Sequence, residues 1–163
     1  MADLYRFLAD HKIDYERYDH PPVYTVDDVK ERVPPLAAAR TKNLFLRDKK
    51  GQRHFLVAVP ADKRVNIKAL PEAIASTRLS FGSADRLKKY LGVEPGSVTI
   101  FAVINDPDLA VEVIVDESLW KEDTFQFHPL VNTSTLVVTR DDLMRFLELT
   151  GHEIKTISVP AQE

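Results

Sequence analysis

The chain has 163 residues, 44% of them apolar and 29% charged, with 22 Lys/Arg against 25 Asp/Glu for a net charge of −3. This is the composition of a globular domain, not of a disordered, collagenous or membrane chain, and the negative balance argues against a general nucleic-acid coat. There is no cysteine, which excludes disulfides, a thiol nucleophile, a thiolate zinc site and an iron–sulfur cluster.

The first residues, MADLYRFLADHKID, are charged and amphipathic and lack the apolar centre of a signal peptide. Asp3 is placed to cap a helix with Leu4, Phe7 and Leu8 on one face. Ile13–Tyr18 alternates as a strand. Thr25-Val-Asp-Asp28 resembles a capping box with Asp in the place of Glu, opening a helix through Val26, Val29 and Val33 that Pro34-Pro35 ends. Asn43–Arg47 and His54–Val59 read as strands of a hairpin turning at Asp48-Lys-Lys-Gly51. Ile67–Ile74 reads as helical with Pro71 near its start, and Leu79–Phe81 as a short strand. Ser83 caps a helix through Leu87, Tyr90 and Leu91 that closes at Gly92. Thr99–Asn105 and Leu109–Val115 are apolar runs around Asp106-Pro107-Asp108, expected to form a second hairpin. Thr124–Phe127 and Thr135–Thr139 follow as strands. Thr139 then caps a helix with Leu143, Phe146 and Leu147 inward and Gly151 after it, and Ile154–Val159 is expected to add a last strand. Helices interrupt strands and hairpins occur as well, so the expected fold class is mixed α/β, with a mixed sheet and not a doubly wound parallel one. The expected organisation is a single domain over residues 1–159 with a frayed tail at 160–163. No apolar run approaches the roughly 20 residues of a membrane span, so no membrane contact and a cytoplasmic location are expected.

Charge is segregated. Between Arg40 and Lys89 there are 13 Lys/Arg against four acids, a net of +9, while the remainder carries nine against 21, a net of −12. The block reads either as a positive face for an anionic partner or as ordinary solvated surface. Glycine-rich phosphate loops, the Gly-x-Ser-x-Gly elbow and paired-histidine metal spacing are all absent from the sequence, so no metal and no cofactor are expected. Four segments remain. Asp19-His-Pro-Pro-Val-Tyr-Thr25 is a proline-stiffened approach to a helix start, either a plain loop with a satisfied His20 or a place where free backbone N–H groups meet an anion or carbonyl. Thr41-Lys-Asn-Leu-Phe-Leu46 sets a lysine and an amide at the mouth of an apolar strand, where a half-buried ammonium acts strongly on anions or simply snorkels to solvent. Gly92-Val-Glu-Pro-Gly-Ser-Val98 offers turn N–H groups to a ligand or merely connects two elements. Phe127-His-Pro-Leu-Val-Asn-Thr-Ser-Thr135 concentrates His128, Asn132 and three hydroxyls between apolar flanks, as a site or as a hydrogen-bonded turn.

In this order, and over about Leu4 to Ile157, these segments resemble the YbaK/ProX family of aminoacyl-tRNA deacylases. The Lys42-Asn43-Leu-Phe-Leu strand and the Phe127-His128-Pro129…Asn132 turn are most similar to its PrdX or ProXp-ala branch, free-standing relatives of the editing domain of bacterial prolyl-tRNA synthetases. One departure is Ile100 and Phe101-Ala102, where the family often has a Pro and then a Phe-Gly pair. The resemblance implies a curved, mixed, mainly antiparallel sheet surrounded by helices, no metal, and hydrolysis of Ala-tRNA(Pro) without a cofactor. It implies that Lys42 and His128 are catalytic and that Thr25, Val29, Val33, Asn43, Gly96, Ser97, Asn132 and Thr135 bind substrate. Lys42 would hold the phosphate or ribose region of the terminal adenosine, His128 with the backbone near Gly96-Ser97 would place the ester, and Val29 and Val33 would limit pocket size. The partners implied are the acceptor end of tRNA(Pro) carrying a small amino acid and prolyl-tRNA synthetase. The alternatives are a YbaK-type Cys-tRNA(Pro) deacylase and a non-catalytic tRNA- or synthetase-binding module of the same fold.

Overall fold

Local caps set most helix starts. In the computed structural model, which describes residues 2–163, Asp3, Thr25, Ser83 and Thr139 each accept a hydrogen bond from the backbone N–H three residues on, opening α1 (Leu4–Asp10), α2 (Val26–Arg32), α4 (Ala84–Leu91) and α6 (Arg140–Thr150). Between α2 and α4 lies the one-turn α3 (Leu70–Ala73), and α5 (Glu117–Trp120) precedes α6. Gly92 and Gly151 close α4 and α6 in the left-handed conformation, which a residue without Cβ adopts at little cost. Among the described residues no helix is long and apolar enough to cross a membrane.

The strands are β1 (Glu16–Asp19), β2 (Ala39–Arg47), β3 (His54–Pro60), β4 (Ser80–Phe81), β5 (Val111–Asp116), β6 (Thr124–Phe127), β7 (Ser134–Thr139) and β8 (Ile154–Ile157). They form one mixed sheet in the order β1-β7-β6-β2-β3-β5-β8, with β4 beside β2. The pairs β1/β7, β2/β3, β2/β4 and β6/β7 are antiparallel; β2/β6, β3/β5 and β5/β8 are parallel. β2–β3 is the expected hairpin, with Gly51 at φ +69° in its turn. β3 is buried almost throughout and packs one apolar layer on each face. Leu56 and Ala58 join the larger core with Phe101, Phe125 and Phe146, and Phe55, Val57 and Val59 join a second core under α3.

Two expectations are corrected. Thr99–Asn105 is not a strand of a hairpin. Ile100–Asn105 is a 3-10 helix started by Thr99, whose Oγ1 accepts from Phe101 N–H. Ile100, Phe101, Ala102 and Val103 are all buried, so an all-apolar run carries no periodicity to separate helix from strand. The tail at 160–163 is not free either. Pro160 C=O accepts from Asn66 N–H at 2.8 Å, Gln162 N–H donates to Arg64 C=O at 2.8 Å, and Ala161 bridges Val65. Those bonds fasten the segment to the loop after β3.

Candidate active site

β2 serves both halves of the sheet. Ala61 N–H donates to Arg40 C=O, so the even-numbered residues of β2 turn their backbone toward β3, and alternation turns Thr41, Asn43 and Phe45 to the opposite edge. On that edge Ala39–Arg40 pair with β6 and Leu46–Arg47 with β4, and Phe45 C=O accepts from Gly82 N–H at 2.9 Å. At Asn43, between the two neighbours, no described strand lies alongside. A cavity of about 240 Å³ opens there. It exceeds the roughly 150 Å³ hollow that holds benzene and falls below the roughly 300–1,000 Å³ of drug-sized sites.

Four pieces wall it. Arg40–Asn43 supply one side, the start of α2 a second, Pro95, Gly96 and Val98 a third, and Gln126–His128 with Thr135 the fourth. The approach to α2 is held by a reciprocal cap: Thr25 Oγ1 accepts from Asp28 N–H at 3.1 Å and Asp28 Oδ2 accepts from Tyr24 N–H at 3.0 Å. That second bond leads the interactions that hold the Asp28 carboxyl below its usual pKa. The 128–133 turn is stitched to this approach. Asn132 Nδ2 donates to Val23 C=O at 2.9 Å, Val23 N–H to Asn132 C=O at 3.1 Å and His20 N–H to Thr133 C=O at 2.9 Å. Leu130 in that turn sits at φ +72°, a conformation that a side chain makes costly.

Polar and apolar groups share the cavity wall. Lys42 is half-buried; its Nζ donates to Lys63 C=O, and burial, then the Arg64 guanidinium, depress its pKa, opposed by Asp62. Arg40 also lines the cavity. Asn43 Oδ1 is buried without a hydrogen-bond partner, and such a group costs about 1–3 kcal/mol unless a ligand or water satisfies it. Burial pushes the His128 pKa down, with a smaller opposing effect from its bond to Ser134 C=O. Nδ1 makes that bond at 3.3 Å, and a carbonyl only accepts, so the neutral ring carries its proton on Nδ1. Thr41 Oγ1 donates to Gln126 C=O at 2.5 Å and Gln126 Nε2 to Ala38 C=O at 2.8 Å, fixing the β2/β6 seam. Among the described residues no three His, Asp or Glu side chains gather as a metal site requires.

Of the residues expected here, Thr25, Val29, Lys42, Asn43, Gly96, His128 and Thr135 line the cavity. Val33, Ser97 and Asn132 do not. Val33 is the C-cap of α2 and is buried at 4% exposure, because the helix ends before it and turns it inward. Ser97 is buried behind Gly96, and Asn132 spends its amide on Val23. Tyr24, Arg40, Gln126 and Val98 were not anticipated, although Tyr24 and Val98 lie inside the segments singled out above. The departures Ile100 and Ala102 are fully buried in the core, as is Phe101 between them, and none of the three lines the cavity.

The aminoacyl-tRNA editing domain family matches residues 20–146, well over half of the chain. The chain belongs to that family. This editing domain is 38% identical to the prolyl-tRNA editing protein ProX of Acetoanaerobium sticklandii over 93% of each chain. It is 34% identical to prolyl-tRNA synthetase associated domain-containing protein 1 of Danio rerio, over 92% of this chain and 82% of that one. A solved structure of a candidate trans-editing enzyme for prolyl tRNA synthetase shares the fold at TM-score 0.66 and 15% identity, covering 98% of this chain and 99% of that one. A solved hypothetical protein does so at TM-score 0.71 and 18% identity, covering 96% and 97%. The mixed, mainly antiparallel sheet flanked by helices is thus the editing-domain fold, and the protein is an aminoacyl-tRNA deacylase that serves translational fidelity by hydrolysing an aminoacyl ester.

Proposed function

We propose that the editing domain acts in trans on tRNA(Pro) wrongly charged with alanine, releasing alanine and intact tRNA. The relatives named for prolyl-tRNA editing support the choice of tRNA. The size of the cavity supports a small acyl group. A synthetase pocket shaped for proline rejects a smaller side chain weakly, since a missing methylene is worth only about 1–3 kcal/mol, and a second site that admits small groups removes the error.

One observation carries the chemistry: Asn43 Oδ1 is buried and unpartnered, on a cavity that Lys42 also lines. An acceptor without a donor fits the α-ammonium of an aminoacyl ester or a ribose hydroxyl. An ammonium in a partly dry site fits the terminal phosphate and the negative charge that develops on the ester oxygen. His128, neutral through burial, and the backbone at Gly96 place the ester, while Val29 and Val26 on α2 bound the acyl end. Thr25 and Thr135 complete the rim, and prolyl-tRNA synthetase is the source of the mischarged substrate.

The test is release of amino acid from tRNA(Pro) charged in turn with Ala, Cys, Ser and Pro, by wild type and by Lys42→Ala. Alanine release that outpaces the other three and falls sharply in Lys42→Ala is the expected result. Preferred release of Cys assigns the Cys-tRNA(Pro) reading instead, and equal rates for the two proteins remove Lys42 from the reaction.

A further inference from the structure

His20 lies in the bend before α2, half-buried, and both nitrogens of its ring are engaged. Nδ1 is 2.9 Å from Pro21 C=O and Nε2 is 2.9 Å from Thr135 Oγ1. A carbonyl only accepts, so Nδ1 carries the hydrogen. In the neutral ring Nε2 is then bare and takes the hydrogen of the Thr135 hydroxyl. With that hydrogen committed, Thr135 Oγ1 keeps its two acceptor lone pairs, and Thr135 lines the cavity. A hydroxyl on the cavity, an imidazole bonded to it and a third group fixing the tautomer are the parts of an activated hydroxyl–base pair.

The frame around the pair is firm. His20 N–H donates to Thr133 C=O, and β1 pairs with β7 so that Tyr18 stands opposite Thr135. Asp19 is the nearest carboxylate; it accepts from Ser134 Oγ at 2.6 Å and from Arg17 Nε at 2.9 Å. His128 faces the pair from the β6–β7 turn. On the α2 side, Arg32 is bonded to Pro22 C=O and Asp28 to Tyr24 N–H.

We propose that His20 and Thr135 form the proton relay of the editing reaction, with Thr135 Oγ1 meeting the attacking water and His20 Nε2 as the terminal proton acceptor. The proposal rests on the deacylase reading of the cavity and adds the general base that reading lacks. Water oxygen bonds to the ester carbon as one of its protons passes to Thr135 Oγ1 and the hydroxyl's own proton passes to His20 Nε2. The tetrahedral adduct then breaks its bond to the ribose oxygen, which takes a proton back along the same path. Free amino acid and a ribose hydroxyl result, the new carboxyl group loses its proton to solvent, and both side chains regain their starting state. His128 is the competing base, and burial depresses its pKa.

Single-turnover release of alanine from Ala-tRNA(Pro), followed between about pH 5 and 8 where histidine titrates, decides the matter in wild type, His20→Gln, Thr135→Val, Thr135→Ser and His128→Gln. Wild type is expected to lose rate toward acid, as a reaction that needs an unprotonated base does. His20→Gln and Thr135→Val are each expected to be roughly 10²–10⁴-fold slower and to show no such limb, while Thr135→Ser keeps both the rate and the limb. A His20→Gln protein with wild-type rate and limb overturns the relay, as does a limb that vanishes only in His128→Gln. Nitrogen-15 NMR of the imidazoles needs no turnover. The Nδ1–H tautomer at His20, with an Nε2 signal that moves in Thr135→Val, supports the relay even if no alanine is released and the substrate assignment fails; an Nε2–H tautomer overturns it.

Discussion

Replacing Asp116 by alanine tests how the Lys42 neighbourhood is held together. Asp116 is 1% exposed and accepts from Lys63 Nζ at 2.6 Å, Ser118 Oγ at 3.0 Å and Val159 N–H at 3.3 Å. In Asp116→Ala the Lys63 ammonium, whose side chain is only 18% exposed, and the Val159 N–H both lose their partner. Removing one member of a buried ion pair costs roughly 3–5 kcal/mol. The residual exposure of Lys63 lets its ammonium reach some water, which places the cost near the lower end, about 3 kcal/mol. With a urea dependence of about 2–3 kcal/mol per molar for a chain of this size, the unfolding midpoint falls by about 1–1.5 M. Unfolding is read from the fluorescence of Trp120, the single tryptophan, which stacks on Phe125. The pair Asp116→Leu with Lys63→Met removes both charges and is expected to recover most of the loss. A midpoint shift below about 0.3 M in Asp116→Ala, or a double variant no more stable than the single one, would refute this reasoning. Because Lys63 C=O receives the Lys42 ammonium, Asp116→Ala is also expected to slow deacylation.

Lys42→Ala is expected to lower kcat by roughly 10²–10³-fold, the scale of losing one preorganised charge-stabilising donor. Since burial depresses the Lys42 pKa, the wild-type rate, corrected for uncatalysed hydrolysis, should fall with rising pH at a pH below the roughly 10.4 of free lysine; a loss only above that value contradicts the assignment. A methyl group at Gly82 would lie 2.4 Å from two ring atoms of buried Phe45, whereas one at Gly96 would lie 2.9 Å from the ring of exposed Tyr24. Gly82→Ala should therefore destabilise by about 1–3 kcal/mol, while Gly96→Ala stays within about 0.5 kcal/mol in urea unfolding and raises KM. Burial, together with Arg86 at His54, holds the native pKa of His54 and His128 below the ordinary value. The unfolded chain then binds more protons, so stability is present above about pH 6.5 and is lost as pH falls toward the native pKa values. The urea midpoint should drop between about pH 7 and 5, with a shallower slope in His54→Gln/His128→Gln; equal slopes would refute the attribution.

What was legible in the sequence was local. A capping side chain and a left-handed glycine act within one turn, so Asp3, Thr25, Ser83 and Thr139 mark their helix starts, and Gly92 and Gly151 two of the ends, without reference to the rest of the chain. The parallel pairings β2/β6, β3/β5 and β5/β8 join segments far apart, and no nearby residue encodes them. The buried 3-10 segment at Ile100–Asn105 misleads because every side chain in its first turn meets core. In the cavity, Lys42, Asn43 and His128 came from ordered segments that resemble a family, while Val33, Ser97 and Asn132 fell one layer behind the wall. A residue two or three places along the same segment differs by a rotation that only the packed fold sets. His20 stood inside a segment noticed for its prolines, and the hydroxyl bonded to its Nε2, on Thr135, is 115 residues away.

The cavity's two long sides are not equally committed. β2 is locked by neighbours on both edges, whereas no residue of α2 is fully buried although Val26 and Val29 face the hollow. Exchanging a strand residue disturbs both halves of the molecule; exchanging a helix residue changes little beyond the shape of the hole. Under the proposed reading, in which α2 bounds the acyl end, acyl-group preference is free to drift by a few point changes on one surface helix while the wall opposite stays as it is.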